Sequence, residues 1–160
     1  MSEMVKVVVD AMGGDNAPEE PVKAAVEAVK EKENIQVILT GVQDVIEAEL
    51  RKYPDYPKDR IRVVHASQVI ETAEPPVMAI QKKKDSSIVV GLNLVKKQEA
   101  DAFVSSGSTG AVLVGGQVIV GRIKGSFPSD RLWCQCRCET RSSGTVCADG
   151  FHLYGKCSGY

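Results

Sequence analysis

Two short segments, rich in glycine with hydroxyl or acid side chains, are where this chain could do chemistry. The first is Asp10-Ala11-Met12-Gly13-Gly14-Asp15-Asn16-Ala17-Pro18, and the second is Ser105-Ser106-Gly107-Ser108-Thr109-Gly110-Ala111. Glycine leaves backbone N–H groups unhindered, and a helix that starts directly after such a turn adds unpaired N–H groups of its own. Ser106-Gly107-Ser108-Thr109-Gly110 is therefore a sound cradle for an anion. It lacks the lysine of a P-loop and the spacing of a dinucleotide fingerprint, so neither label applies. The ordinary alternative is that these glycines only make tight turns. Asp10 and Asp15 flank the first turn and could bind a metal, orient a base or cap the next helix; Asn16 suits a turn. The third segment, Lys82-Lys83-Lys84-Asp85-Ser86-Ser87, sets three lysines beside two serines at a helix start. That chemistry fits a phosphate or phosphopantetheine-type anion, against the ordinary reading of a solvated charged face. His65, at a strand end, reads as structural, and Met12 and Met78 read as packing residues.

These segments need elements to hold them. Val5–Val9 is a β-branched run that predicts a buried strand ending at Asp10. Pro18-Glu19-Glu20-Pro21 then opens a helix, because a first helical turn tolerates proline and favours acids. Val22, Ala25, Val26 and Val29 form its apolar stripe. Ile35–Thr40 is a second strand with Gly41 as the turn after it. Asp44 is expected to cap a helix through Leu50 carrying Val45, Ile46 and Ala48. Ile61–Val64 is a third strand. Pro75-Pro76 excludes a helix interior just before Val77–Ile80. Asp85-Ser86-Ser87 precedes an apolar helical segment from Ile88 to Val95, Ala102–Val104 is a short buried strand, and Ser108–Gln117 a helix of small residues. Strand, turn and helix repeat about four times, which predicts an α/β domain with a mainly parallel sheet and helices on both faces. In such sheets ligands bind beyond the carboxyl ends of the strands, where both glycine segments fall.

Bulk composition excludes several classes. At 160 residues and net charge −1, with acids and bases mixed along the chain, there is no nucleic-acid footprint. No apolar run approaches the ~20 residues of a membrane span, and Met1-Ser2-Glu3-Met4 lacks the build of a signal peptide. A cytoplasmic location is expected. Membrane-surface association stays open as a peripheral contact, since no basic amphipathic helix stands out.

Val9–Pro18 resembles the N-terminal signature of the bacterial phosphate acyltransferase family PlsX. Lys83-Lys84-Asp85-Ser86-Ser87 and Ala100–Ala111 resemble the next two motifs of that family, in the right order and at compatible distances. The resemblance runs from about Lys6 to Gly125. It implies transfer of a fatty acyl group from acyl carrier protein to inorganic phosphate, giving acyl phosphate for phospholipid synthesis. It implies no organic cofactor and no metal, a homodimer, and a fold like that of isocitrate and isopropylmalate dehydrogenases. By the same resemblance, catalytic roles are expected at Asp10, Asp15, Asn16, Lys84, Ser108 and Thr109. Contacts to phosphate or substrate are expected at Gly13, Gly14, Lys83, Ser86, Ser87, Ser106, Gly107 and Gly110. Ser108 stands where many relatives are expected to carry asparagine, and no general base is assigned. Two other readings remain: a non-catalytic phosphate-binding α/β module, and a dehydrogenase relative for which no nucleotide fingerprint is present.

Composition breaks sharply near the end. The first 132 residues contain no cysteine and no tryptophan, whereas Trp133–Tyr160 holds the only Trp and all five Cys: Cys134, Cys136, Cys138, Cys147 and Cys157. Reading each codon from its second base, with suitable third bases, Arg131–Cys138 becomes Asp-Cys-Gly-Ala-Asn-Val-Asp-Ala. Residues from Glu139 onward can continue as Lys-Pro-Asp-His-Leu-Val-Gln-Tyr-Ala. Gly-Ala-Asn-Val-Asp-Ala-Lys-Pro resembles a further motif of the same family. Residues 1–125 are therefore expected to be the N-terminal α/β part of an acyltransferase. Residues 126–160 are expected to be a poorly structured, out-of-frame tail on an inactive chain. A zinc site built from the cysteines and His152 is the rival reading, but no C-x-x-C pair is present.

Overall fold

The computed structural model describes residues 4–121 and 152–155. Four strands form a parallel sheet: β1 (Val5–Asp10), β2 (Ile35–Gly41), β3 (Ile61–His65) and β4 (Ala102–Ser105). Their order is β3-β2-β1-β4, and β5 (His152–Gly155) pairs antiparallel along the outer side of β4. The register sets Val7 against Val37 of β2 and against Ala102 of β4. The expected fold class, a mainly parallel α/β sheet, is what the structure shows. Of the tail expected to be out of frame, only β5 lies among the described residues; the five cysteines lie outside them.

Both faces of the sheet carry helices. On one face lie α1 (Glu19–Glu31) and α2 (Gln43–Leu50), and all four stripe residues Val22, Ala25, Val26 and Val29 are buried against Val37 and Leu39. The other face carries α3 (Pro76–Lys82), α4 (Ser87–Lys96) and α5 (Thr109–Gly115). There Val8, Ile38 and Phe103 point into a core with Ile88, Leu92 and Val112. Successive strand residues thus feed opposite cores, as the two-residue period of a strand requires.

Several local expectations are corrected. Asp44 does not cap α2. The helix starts two residues earlier, behind Val42, and Asp44 sits in its first turn, where an acid faces unpaired N–H groups. Val45 and Ala48 lie on its exposed side, while Ile46 and Leu50 are buried. Neither Asp10 nor Asp15 caps α1, whose N-cap is Pro18, without a side-chain cap. The helix of small residues does not stop near Gln117: a π-helical turn over Gly116–Val120 prolongs α5. Met78 is 46 % exposed rather than packed, whereas Met12 lies against Gly41.

The winding fixes where a ligand belongs. From β1 the chain runs through α1 to β2 and through α2 to β3. It then returns through α3 and α4 to β4, on the other side of β1. Strand order therefore reverses between β1 and β4, and a crevice at the carboxyl edge of such a pair is the usual ligand site. A cavity of about 320 Å³ lies on the α1 face, floored by Val7, Val9 and Val104, walled by Pro21, Ala24 and Ala28, and reaching Asp10, Ser105 and Ser106 at the carboxyl edge. It lies beside β4, where no described helix covers this face of the sheet.

Candidate active site

The two glycine turns meet at the switch point. A Cβ built on Gly13 would lie 2.7 Å from the backbone N of Gly107, and one on Gly107 would lie 3.2 Å from Cα of Gly13. A side chain is excluded at Gly13 and crowded at Gly107 because the backbones touch. Gly14 adopts φ +92°, a left-handed conformation natural to glycine. The Ser106 hydroxyl donates to the Gly13 carbonyl at 2.9 Å, which ties the second turn to the first.

Beneath this contact lies Asp10, only 1 % exposed at the end of β1. Its Oδ2 accepts from the Ser105 hydroxyl at 2.8 Å, and its Oδ1 accepts from the Met12 N–H at 3.1 Å. The Ser87 hydroxyl and the Gly13 N–H lie close by and also favour its charged form. Burial pushes the Asp10 pKa above the ordinary aspartate value, against these four groups. Ser105 Oγ in turn accepts from the Gly107 N–H at 3.0 Å. All three segments singled out in the sequence therefore converge on one carboxyl.

The remaining expected site residues divide by what they already hold. Ser108 is buried, and its hydroxyl caps α5 by accepting from the Ala111 N–H at 3.4 Å. Ser86 is likewise buried and caps α4 through the Val89 N–H at 3.4 Å. Asp15, Asn16 and Thr109 are exposed around the turns, and Gly110 packs its backbone against Pro76 at the start of α3. Lys84 is exposed. Lys83 points elsewhere: its ammonium donates to the Glu74 carboxylate at 2.5 Å and to the Val69 carbonyl at 2.7 Å. His65 acts structurally, its Nδ1 accepting from the Gln43 N–H at 3.3 Å. Sequence reading missed Ser105 as a site residue apart from its place in the turn, and missed Glu74 altogether. Neither has a local signal: Ser105 meets Asp10 across 95 positions, and Glu74 reaches Lys83 from a loop whose spacing follows no helix or strand period.

Acid sensitivity follows from the lysine-bearing segment. Lys83 holds the Glu74 carboxyl below the ordinary glutamate value, helped by the Glu71 N–H. The Ser67 hydroxyl, then its N–H, hold Asp85 below the ordinary aspartate value. Because both folded values lie under the unfolded ones, these contacts favour folding above the ordinary carboxylate range. Their contribution is lost as pH falls through the folded values. Both groups are solvent-accessible, so the effect is small. Urea midpoints measured from neutral to acid pH should fall, and Glu74→Gln should flatten part of that slope. An unchanged slope in Glu74→Gln would show that the pair with Lys83 does not act in solution.

Comparison with known proteins places these residues in a family. The family model described as "Fatty acid synthesis protein" matches residues 5–127. A phosphate acyltransferase of Alkaliphilus oremlandii is 57% identical over 121 residues, covering 76% of this chain and 36% of the relative. One from Halothermothrix orenii is 49% identical over 119 residues, covering 74% of this chain and 35% of its own. One from Clostridium botulinum is 54% identical over 121 residues, with coverage of 76% and 36%. The chain thus spans about a third of the length of the curated relatives it matches.

Proposed function

This chain belongs to the fatty acid synthesis protein family, and on that premise we propose that it is the N-terminal part of an acyltransferase joining a fatty acyl group to inorganic phosphate. The observation that carries the reading is the contact between the Gly13-Gly14 and Ser106-Gly107 turns at the point where strand order reverses. A phosphate oxygen attacks the carbonyl carbon of an acyl thioester presented by acyl carrier protein. The tetrahedral oxyanion collapses, the carrier thiolate leaves, and acyl phosphate remains. Donors fixed in place before the charge develops stabilise such an oxyanion. Phosphate is placed against the Ser106–Gly110 turn, with Gly14, Asp15, Asn16 and Thr109 around it. The Gly107 and Ala111 N–H groups are already engaged within the protein, so they do not serve as the oxyanion donors. Lys84 is the one exposed lysine of the Lys83–Ser87 segment and is assigned to the phosphate or to the carrier's linker. No organic cofactor takes part. A homodimer in the cytoplasm, with at most a peripheral membrane contact, completes the reading; no described helix is long and apolar enough to cross a membrane.

Residues 126–160 are assigned to translation out of frame. Three facts support this. The family match ends at residue 127, the chain spans about a third of the relatives' length, and composition changes at Trp133. One experiment tests both parts. The codons for Ile123 to Tyr160 are sequenced, the frame is restored, and both proteins are assayed for acyl phosphate from acyl carrier protein thioester and phosphate. The expected result is phosphate-dependent thioester loss with the restored protein and none with the 160-residue chain. A restored protein without that activity would end the transferase reading, and an intact frame with no longer reading would make the cysteine-rich tail genuine.

A further inference from the structure

We infer that Asp10 is the positioning residue of this site, a buried carboxyl that holds three substrate-facing segments in register and does not itself touch substrate. The inference rests on reading this sheet edge as the site. Three observations carry it. Asp10 is 1 % exposed, and its two oxygens accept from the Ser105 hydroxyl and the Met12 N–H, with the Ser87 hydroxyl and the Gly13 N–H close by. Its hydrogen bonds join the β1–α1 turn to the end of β4, and Ser87, the first residue of α4, sits beside the same carboxyl, so the three segments meet at one side chain. A relay then leads outward, from Asp10 Oδ2 through the Ser105 hydroxyl to the Gly107 N–H, which fixes the plane of the peptide facing Gly13.

The choice of a carboxyl has a chemical reason. An ionised carboxylate is acceptor-only and suits a surrounding made of donors on every side, whereas an asparagine would turn an N–H toward one of them. Among the described residues no charged side chain acts on Asp10; its neighbours on β4, α4 and the first turn are hydroxyls and backbone amides. Protonation would remove one acceptor position from this set and loosen the relay. The raised pKa places that event above the ordinary aspartate range.

The test uses the full 160-residue chain. Amide protection factors are measured by NMR in wild type, Asp10→Asn and Ser105→Ala, with titration of inorganic phosphate alongside. The Gly107 amide should lose about tenfold in protection in both variants, while β2 amides from Val37 to Leu39 keep theirs. The double variant should lose no more than either single one, as expected for members of one relay. In wild type, protection at Gly107 should step down on acidification through the Asp10 titration, and Asp10→Asn should lack the step; a residue that only fills space produces no such step. Should Asp10→Asn unfold, the wild-type step and Ser105→Ala decide alone. Unchanged Gly107 protection in Asp10→Asn, or a missing step in wild type, overturns the inference. Failure of wild type to bind phosphate counts against the proposed site and leaves the amide result to judge Asp10.

Discussion

Gly13→Ala is expected to destabilise the protein by about 1–3 kcal/mol, the usual range for forcing an extra methyl into filled space, and to abolish phosphate binding. The new Cβ would lie 2.7 Å from Asp10 Oδ2 and 2.7 Å from the Gly107 nitrogen. Neither neighbour can swing aside. The carboxyl is held by the Ser105 hydroxyl and the Met12 N–H, and the nitrogen is backbone within a hydrogen-bonded turn. Relief requires the two turns to part, which breaks the Ser106 bond to the Gly13 carbonyl as well. Urea unfolding and a phosphate titration check the two halves of this expectation. Wild-type stability together with wild-type binding would show that the turns do not touch in solution.

Phe103→Ala is expected to remove about 3–5 kcal/mol, the range for deleting a buried aromatic side chain. Phe103 is fully buried at the centre of β4, among Val8, Leu92 and Val112. Its ring also occupies the space that a side chain at position 91 would need, which accounts for Gly91 in the middle of α4. Total stabilities of domains run to about 5–15 kcal/mol, so this one change consumes much of what is available. The loss should be largest in β4, two residues before Ser105, and so should reach the site. Urea midpoints of the two proteins measure it. A shift of less than about 1 kcal/mol would mean that β4 is not docked as described.

What was legible in the sequence is what depends on near neighbours along the chain. The spacing of Val22, Ala25, Val26 and Val29 fixes the buried side of α1 because a helix repeats every 3.6 residues. The run Val5–Val9 could only be a strand with both faces covered, and Val8 and Val9 indeed lie against opposite cores. Pro75-Pro76 correctly barred a helix interior, and Pro76 opens α3 instead, where its missing N–H leaves no bond unmade. Helix ends were less legible. Asp44 looks like a cap by residue type, but the chain leaves β2 so tightly that Val42 takes that position. The π-helical turn after Gly115 has no signature that Gly115-Gly116 would announce.

The site was legible in its parts and illegible in its assembly. Glycine and hydroxyl content marked both turns. Nothing in the spacing said that Asp10 and Ser105, 95 positions apart, share a hydrogen bond. Nor did it say which lysine of three was engaged. Lys83 is held by Glu74, nine residues away on the preceding loop, and the charge run alone treats all three lysines alike. Serines that looked like phosphate ligands turn out to include two helix caps, Ser86 and Ser108, since a hydroxyl at a helix start satisfies a backbone donor and a ligand equally well by composition.

The apolar hollow beside α1 bears on the fate of the chain in a cell. Its floor of Val7, Val9 and Val104 is sheet surface of the kind that chaperones grip and that neighbouring molecules adhere to when it stays uncovered. While it is uncovered, that face would draw chaperones and proteases to a polypeptide whose described core, from Val8 to Phe103, is fully packed, so abundance would follow how quickly the face is recognised whatever the stability of the rest.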